Sequence, residues 1–368
     1  MRKRIDQSAR FFVGGLFIFS GLIKLNDPVG TQIKMEEYFE VFAEDFSSFF
    51  HHFVPWAMEI GMAMIVLEIA LGVAILLYYR MTLTTWVLLS LMIFFTFLTF
   101  YSAYFDKVTD CGCFGDAIKL TPWESFWKDI ILMVFVLHLF WYRRQYTAAL
   151  RTREGDSIIL ATALTSLFLG TYAVRHLPFI DFRAYRVGNN IPQQMIAPEQ
   201  PMIEYIFVKD GAETRSLKYL SSEDGYQYVS SRILNEDKVK PKITDYSVTG
   251  PDGDDLTSST FQGAKLIIVI VNVKEASIKD INALRILTQR LDRTVESLVL
   301  TSSPAELVEA FRHEHQLAVP YAFADATVLK TIIRSNPGIA LWKDGTVLGN
   351  WHHNDTPTSK EILDLLRK

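Results

Sequence analysis

The amino-acid sequence predicts a membrane-embedded all-α four-helix bundle plus a fifth transmembrane helix, followed by a soluble α/β domain. Of the 368 residues, 49% are hydrophobic, and these residues concentrate in the first half of the chain. Several apolar stretches there approach the roughly 20 residues that a helix needs to cross a hydrocarbon core. The second half mixes polar and apolar residues in short elements, as globular domains do.

Five apolar segments predict the transmembrane helices. In chain order they are residues 10–25, 56–79, 82–105, 123–142 and 157–173. The first is short, but Arg10 and Lys24 extend it by snorkelling to the interfaces. A cleaved signal peptide also has a basic start and a short apolar core, but no small-x-small cleavage site precedes Lys24. We therefore expect the first segment to remain in the mature protein.

The distribution of basic residues predicts the orientation. They precede the first segment and occupy the turns after the second and fourth segments: Arg2, Lys3, Arg4, Arg10, Arg80, Arg143, Arg144, Arg151 and Arg153. The positive-inside rule places this side in the cytoplasm. The acidic connection between the first two segments, expected to be a loop, then lies outside. Five spans place the N-terminus in the cytoplasm and the C-terminal domain in the periplasm of a bacterial cytoplasmic (inner) membrane.

These boundaries divide the chain into four predicted parts. Residues 1–145 form the bundle, 146–177 the fifth transmembrane helix, 178–240 a connecting segment with β character, and 241–368 the α/β domain. The lipid bilayer is therefore a predicted partner. Nucleic acid is excluded as a partner, because the net charge is −4 and the sequence has no concentrated basic face.

Cys111 and Cys113 are the only cysteines of the chain, and the topology places them outside, where disulfides persist. One residue separates them, and Gly112 lets the backbone bend enough to bring them within bridging range. A disulfide that closes so small a ring is strained and removes almost no entropy from the unfolded chain, so it would stabilise the fold very little. Strained, exposed bridges exchange readily. We expect a redox-active pair.

Two alternatives remain for the cysteines. A permanent local disulfide could shape the loop. A metal half-site is the other alternative, but two thiolates do not complete a tetrahedral zinc site, and His51 and His52 are the only plausible helpers. We therefore predict no metal site.

Four ionisable residues fall within or at the ends of the apolar segments, namely Lys24, Glu59, Glu68 and Asp129. An ionisable group at membrane depth is costly and normally faces a partner or a cavity. One interpretation is an ion-pair cluster that locks the bundle. The other is a proton or ligand site beneath the cysteine loop. Glu68 lies deepest and is the most informative of the four.

The C-terminal part shows alternating strand and helix patterns. Residues 244–248 are expected to form a short strand, and 265–273 form a continuous β-branched run typical of a buried central strand. Helix, strand, helix, hairpin and helix follow. In the connecting segment, residues 202–207 and 216–220 predict a small hairpin.

The first four helices resemble the DoxX-like membrane proteins, and specifically the MauE (methylamine utilisation) family. The matching motifs are Ser20-Gly21-x-x-Lys24-Leu25 with Asp27-Pro28, Glu68-x-x-x-Gly72, Cys111-Gly112-Cys113-Phe114-Gly115 and Trp127-Lys128-Asp129. The resemblance covers about residues 5–145. It implies a role in the maturation of a disulfide-rich periplasmic protein, alongside a thioredoxin-like partner.

Residues 241–368 resemble the thioredoxin fold of the TlpA and peroxiredoxin group, mainly in element order. By that resemblance Pro337, in Asn336-Pro337-Gly338, would be a cis-proline. The family's Cys-x-x-Cys follows the first central strand, and residues 272–278 contain no cysteine there. This domain is therefore expected not to exchange disulfides itself. The fused arrangement also resembles DoxX-family proteins of Bacteroidetes-type bacteria.

Together these features favour a membrane thiol–disulfide component that acts through Cys111 and Cys113 on an extracytoplasmic thiol or thioredoxin-like protein. The sequence contains no classical enzyme active site and names no cofactor. If a quinone were the electron acceptor, it would have to react with the cysteine loop directly, because the chain has a single cysteine pair. The alternatives are a non-catalytic assembly factor, or binding or transport of a small ligand in the bundle.

Overall fold

A computed structural model describes residues 2–108, 112–235, 239–291 and 294–367. The chain divides into two compact units, Met1–Arg183 and Ala184–Lys368. The first unit consists of helices: α1 (Arg2–Asn26), α2 (Pro28–Asp45), α3 (Ala57–Leu76), α4 (Met81–Phe105), α5 (Pro122–Trp141) and α6 (Thr152–Arg175), with a 3-10 segment Ser48–Trp56 before α3.

Within the described part of the chain, four helices are long and apolar enough to span a membrane: Arg2–Asn26, Ser48–Leu76, Met81–Phe105 and Thr152–Arg175. The chain is therefore a multi-pass membrane protein. Helix α5 coincides with the remaining predicted span, but it carries three charged residues, Glu124, Lys128 and Asp129. A fifth span thus stays a prediction.

Helix α2 corrects the expectation of an acidic loop between the first two spans. The Asp27 side chain accepts a hydrogen bond from the Gly30 amide at 2.9 Å, and Pro28 occupies the first turn, where its missing N–H costs nothing. The buried residues Met35, Tyr38 and Phe42 recur every three or four positions and form one apolar face. Acidic residues between these apolar positions mask the periodicity in the sequence.

Helices α1 and α3 pack closely because both carry glycine at their contact. A Cβ atom on Gly72 would lie 2.8 Å from the Gly14 carbonyl oxygen, and one on Gly21 would lie 2.5 Å from Ile69 Cγ1. Small residues allow this close approach of helix backbones in membranes. This contact sets how far along α1 Lys24 lies relative to Glu68 on α3.

The second unit begins with a short helix, α7 (Ile191–Gln194), and a three-stranded antiparallel sheet of order β2-β1-β3. The strands are β1 (Ile203–Lys209), β2 (Ala212–Ser216) and β3 (Gln227–Ile233). The first strand of the predicted hairpin overlaps β1, but its second strand, expected at residues 216–220, is wrong: β2 ends at Ser216, because the chain already turns at Asp210-Gly211. Strand β3 was not predicted, because all its residues are exposed and its sequence lacks apolar alternation.

A five-stranded mixed sheet of order β6-β5-β4-β7-β8 forms the rest of this unit. The strands are β4 (Ala264–Ile270), β5 (Glu296–Thr301), β6 (Tyr321–Phe323), β7 (Gly338–Lys343) and β8 (Thr346–His352). Strands β5 and β6 run parallel to β4, whereas β7 is antiparallel to it. The accompanying helices are α8 (Ile281–Leu291), α9 (Ala305–His315), α10 (Ala326–Ile332) and α11 (Ser359–Arg367).

This element order and sheet give the C-terminal unit a thioredoxin-like fold. The central strand β4 is buried along nearly its whole length, as its β-branched sequence predicts. The expected strand at residues 244–248 is wrong: these residues form no regular strand, and only the neighbouring Thr249 forms isolated bridges, to Asp255 and Phe323. Asp245, Asp252, Asp254 and Asp255 favour turns over a regular ladder here.

Candidate functional site at the cysteine loop

The loop between α4 and α5 covers a cavity of about 90 Å³ inside the helical unit. Gly112, Cys113 and Phe114 line this cavity together with residues of α1 to α5. Cys111, the other member of the predicted redox pair, lies outside the described residues. The structure thus places Cys113 at a cavity that contains the charged groups of the bundle.

An ion pair between Lys24 and Glu68 forms one wall of the cavity. Lys24 Nζ on α1 lies 2.5 Å from Glu68 Oε1 on α3, and the Glu68 side chain is only 2% exposed. The Ser20 hydroxyl lies 3.1 Å from Glu68 Oε2 and 3.0 Å from the Cys113 carbonyl oxygen. A serine hydroxyl can donate one hydrogen bond at a time, so Ser20 can alternate between these two acceptors. It therefore connects the cysteine loop to the buried ion pair.

A second ion pair forms the wall made by α4 and α5. Lys128 Nζ lies 2.9 Å from Asp129 Oδ1, and Thr99 on α4 donates a hydrogen bond to Asp129 Oδ2 at 3.1 Å. The ammonium of Lys128 also lies 5.3 Å from the centre of the Phe114 ring, within cation–π range. Phe114 is the residue after Cys113, so this pair also contacts the cysteine loop.

Glu59, the fourth predicted intramembrane residue, does not belong to this cavity. It lies in a separate apolar groove between α3 and α6, which Arg175 also lines. Helical geometry explains the separation: nine residues, or 2.5 turns, put Glu59 and Glu68 on opposite faces of α3. The single cluster of Lys24, Glu59, Glu68 and Asp129 is therefore corrected to three residues at one cavity and one elsewhere.

Sequence reasoning did not single out Lys34 as a site residue, although it lines the cavity. Lys34 pairs with Glu37 at 2.9 Å, and its side chain lies against Gly112. Lys34 lies on α2, and its position was not predicted because this segment was expected to be a loop. Lys128 and Ser20 did appear in the motifs of the family resemblance, but no role was assigned to them.

The thioredoxin-like domain has no thiol at the position where its resemblance implies one. After β4, Asn272 caps a 3-10 turn at Val273–Glu275. The Asn336–Pro337 peptide bond is cis, and the Asn336 carbonyl oxygen accepts a hydrogen bond from the Ser277 amide at 3.0 Å. These contacts join the turn after β4 to the segment before β7 by hydrogen bonds, and neither segment contains a cysteine.

His353 lies beside the segment that contains the cis peptide bond. Its Nδ1 lies 2.9 Å from the Ser335 hydroxyl oxygen. Burial lowers the pKa of His353, because the charged imidazolium loses its hydration there, and this effect outweighs the opposing charges of Asp280 and Asp355. The imidazole is therefore neutral at pH 7.

Gly112 holds the left-handed conformation that the cysteine loop requires, with φ of +65°. Gly112→Ala is expected to cost roughly 1–2 kcal/mol in backbone strain, and its Cβ would lie 3.1 Å from Lys34 Cγ. We expect the displaced loop to expose its reduced cysteines, which raises their alkylation rate by a maleimide.

Gly115→Ala is the matched control for this variant. Gly115 also has a positive φ, of +48°, but an added Cβ would meet only Ile23 Cγ2, at 3.9 Å. Equal alkylation rates for the two variants would show that contact with Lys34 does not position the loop.

Residues 2–142 match the family model described as "Methylamine utilisation protein MauE". The N-terminal domain matches the MauE family. The matched residues include Ser20, Lys24, Glu68 and the Cys111–Gly115 loop, and they end at the last turn of α5. The MauE match thus covers every residue that lines the cavity.

Protein TlpB of Flavobacterium psychrophilum is 29% identical over 170 residues, which are 45% of this chain and 44% of TlpB. The chain thus spans less than half the length of this relative. Two solved structures are similar to part of the chain. StoA from Bacillus subtilis has a TM-score of 0.26 and 12% identity and covers 33% of this chain and 94% of its own. The thiol peroxidase from Chromobacterium violaceum has a TM-score of 0.26 and 19% identity, with 34% and 83% covered.

Proposed function

We propose that this protein is a thiol–disulfide component of the bacterial cytoplasmic membrane, which exchanges disulfides with extracytoplasmic proteins through Cys111 and Cys113. The observation that carries the proposal is the position of Cys113 at a membrane cavity with a buried ion pair. Its backbone carbonyl and the Lys24–Glu68 pair share Ser20 as a hydrogen-bond partner. Ionisable residues at membrane depth often mark a functional site, and this pair lies next to the loop.

The proposed orientation requires α5 to cross the membrane, and the distribution of its side chains supports this. Asp129 is 2% exposed and points into the bundle, whereas Ile131, Val134 and Leu137 are exposed on the outer side. A transmembrane helix with charged residues directs them inward in this way. With α5 as a span, the cysteine loop and the C-terminal domain both lie outside the cytoplasm.

In the proposed reaction, a client dithiol and the Cys111–Cys113 disulfide exchange. A client thiolate attacks one sulfur, a mixed disulfide forms, and the second client thiol releases a client disulfide and two reduced loop cysteines. Two electrons pass from the client to the loop, and the reverse direction reduces a client. The thioredoxin-like domain, which contains no cysteine, binds the client.

Trapping of the mixed disulfide tests this function. In Cys111→Ser or Cys113→Ser, the remaining loop thiolate can attack a client disulfide, which is the reverse direction of the reaction, and no second loop thiol can then release the mixed disulfide. We therefore expect one of these variants to accumulate a covalent adduct in cells. The adduct should migrate above the monomer on a non-reducing gel, disappear with reductant, and identify the client by mass spectrometry.

The double variant Cys111→Ser/Cys113→Ser is the control, and it should form no adduct. The absence of adducts in both single variants, together with a wild-type bridge that stays oxidised under every growth condition, would reject the proposal. That result would favour a non-catalytic assembly factor.

A further inference from the structure

A basic groove lies at the end of the helical unit opposite the cysteine loop. It opens where α4 begins and α5 ends, and its volume is about 630 Å³. Three arginines line it, namely Arg80, Arg143 and Arg144, and no acidic side chain does so among the residues that the structure describes. Small-ligand sites typically have volumes of roughly 300–1,000 Å³. The groove is therefore large enough for the headgroup of a lipid.

A carboxylate neutralises only one of the three arginines. Arg80 Nη2 lies 2.9 Å from Asp156 Oδ1, in the first turns of α6. Within the described ranges of the chain, neither Arg143 nor Arg144 forms an ion pair. The groove therefore presents two positive charges, on Arg143 and Arg144, that no carboxylate of the described residues balances.

The guanidinium of Arg143 is held in place and keeps a donor for a ligand. Its Nη1 donates a hydrogen bond to the Phe140 carbonyl oxygen at 2.7 Å, and its Cζ lies 4.0 Å from the centre of the Phe140 ring. Its Nη2 donates to none of the described residues. A guanidinium is a planar fork of N–H donors that matches the oxygens of a phosphate group. Arg143 is therefore oriented for a phosphate before a ligand binds.

The wall that α4 contributes extends the groove along the apolar surface of the bundle. Leu83 and Trp86 line it, and both are exposed and lie three residues apart, on one face of α4. The Trp86 ring packs edge-on against Phe140, with ring centres 4.6 Å apart. Tryptophan is enriched where the membrane meets water. An amphiphile with an anionic head at the arginines and an apolar chain along α4 fits both parts of the groove.

We propose that this groove binds the phosphodiester headgroup of an anionic phospholipid, with an acyl chain along Leu83 and Trp86. Such a lipid has a net negative charge, which complements Arg143 and Arg144, whereas a zwitterionic lipid carries its own cation. A soluble phosphate compound has the same anionic group but no chain for the exposed face of α4. Basic pockets between transmembrane helices recognise lipid headgroups by this chemistry. The inference goes beyond the proposed function and does not depend on the thiols.

Binding is tested by native mass spectrometry of the full chain, released from detergent micelles that contain dioleoylphosphatidylglycerol. One lipid should stay bound per protein. Dioleoylphosphatidylcholine, which has the same acyl chains but no net charge, should bind roughly tenfold more weakly or worse. An excess of glycerol 3-phosphate should not displace the lipid. Displacement would assign the groove to a soluble phosphate compound and overturn the inference, as would equal affinity for the two lipids.

Two double variants decide whether the groove itself binds the lipid. Arg143→Gln/Arg144→Gln should weaken binding of dioleoylphosphatidylglycerol roughly tenfold or more. Arg151→Gln/Arg153→Gln removes the same charge from the nearby start of α6, outside the groove, and should bind like wild type. An equal loss in both double variants would mean that net charge alone attracts the lipid, and it would overturn the inference.

Arg144→Gln alone guards against a folding defect, because Arg143 also packs on Phe140. The Arg144 side chain is exposed, so its replacement should leave the thermal unfolding followed by circular dichroism unchanged. We expect this variant to bind dioleoylphosphatidylglycerol roughly fivefold more weakly. Wild-type affinity in this variant would contradict the proposed contact with the headgroup.

Discussion

Glu68→Ala is expected to destabilise the helical unit by about 3–5 kcal/mol, because it leaves the Lys24 ammonium without its carboxylate. The Lys24 side chain is only 13% exposed, so water cannot replace the lost partner fully. Ser20 loses a hydrogen-bond acceptor at the same time. Thermal unfolding in detergent micelles, followed by circular dichroism at 222 nm, measures the effect as a lowered melting temperature.

Two variants decide whether the unpaired charge is the cause. Glu59→Ala removes an exposed carboxylate from the same helix and should change stability by less than about 0.5 kcal/mol. Lys24→Met/Glu68→Met replaces both charges with apolar groups and should recover most of the loss. A melting temperature for Glu68→Ala equal to that of Glu59→Ala would mean that the ion pair does not stabilise the bundle.

Trp342→Ala should destabilise the thioredoxin-like domain by about 3–5 kcal/mol, the usual cost of truncating a large buried aromatic side chain. Trp342 is fully buried on β7 and packs against Tyr246 and Phe261, with ring centres 6.1 and 6.3 Å apart. Hydrogen exchange of the β4 amides, followed by mass spectrometry in the full-length protein, reports the free energy of opening of this domain.

Trp342→Phe is the matched control for this prediction. The indole Nε1 is buried and finds no hydrogen-bond partner among the residues that the structure describes. Phenylalanine removes that unsatisfied donor and keeps most of the packing area, so we expect a cost below about 1.5 kcal/mol. Equal losses for the two variants would show that the indole makes a contribution beyond its packing.

The long apolar runs made α3 and α4 predictable to within a few residues. A run of about 20 apolar residues has few other stable structures, and the charged ends mark its limits. Helix α2 could not be found by the same reasoning, since its apolar positions are interrupted by glutamates. The Asp27-Pro28 capping signal was present in the sequence, but it was noted only as part of the family resemblance.

The cavity was predicted in part. Ionisable residues in apolar segments identified Lys24, Glu68 and Asp129, because burial of a charge requires a partner. The same argument grouped Glu59 with these three residues. The position of a residue along a helix does not by itself tell which face of the helix it occupies, and this face follows only from the helical period of 3.6 residues. Lys34 and Ser20 reach the cavity only through tertiary packing, which a single sequence does not reveal.

The connection between α1 and α2 consists of Asp27 alone. Mechanically, such a short connection couples the movement of α2 to that of α1. Lys24 lies three residues before Asp27, and Lys34, seven residues after it, lies against Gly112 of the cysteine loop. A displacement of the loop would therefore move α2 and, through Asp27, the end of α1 that carries Lys24.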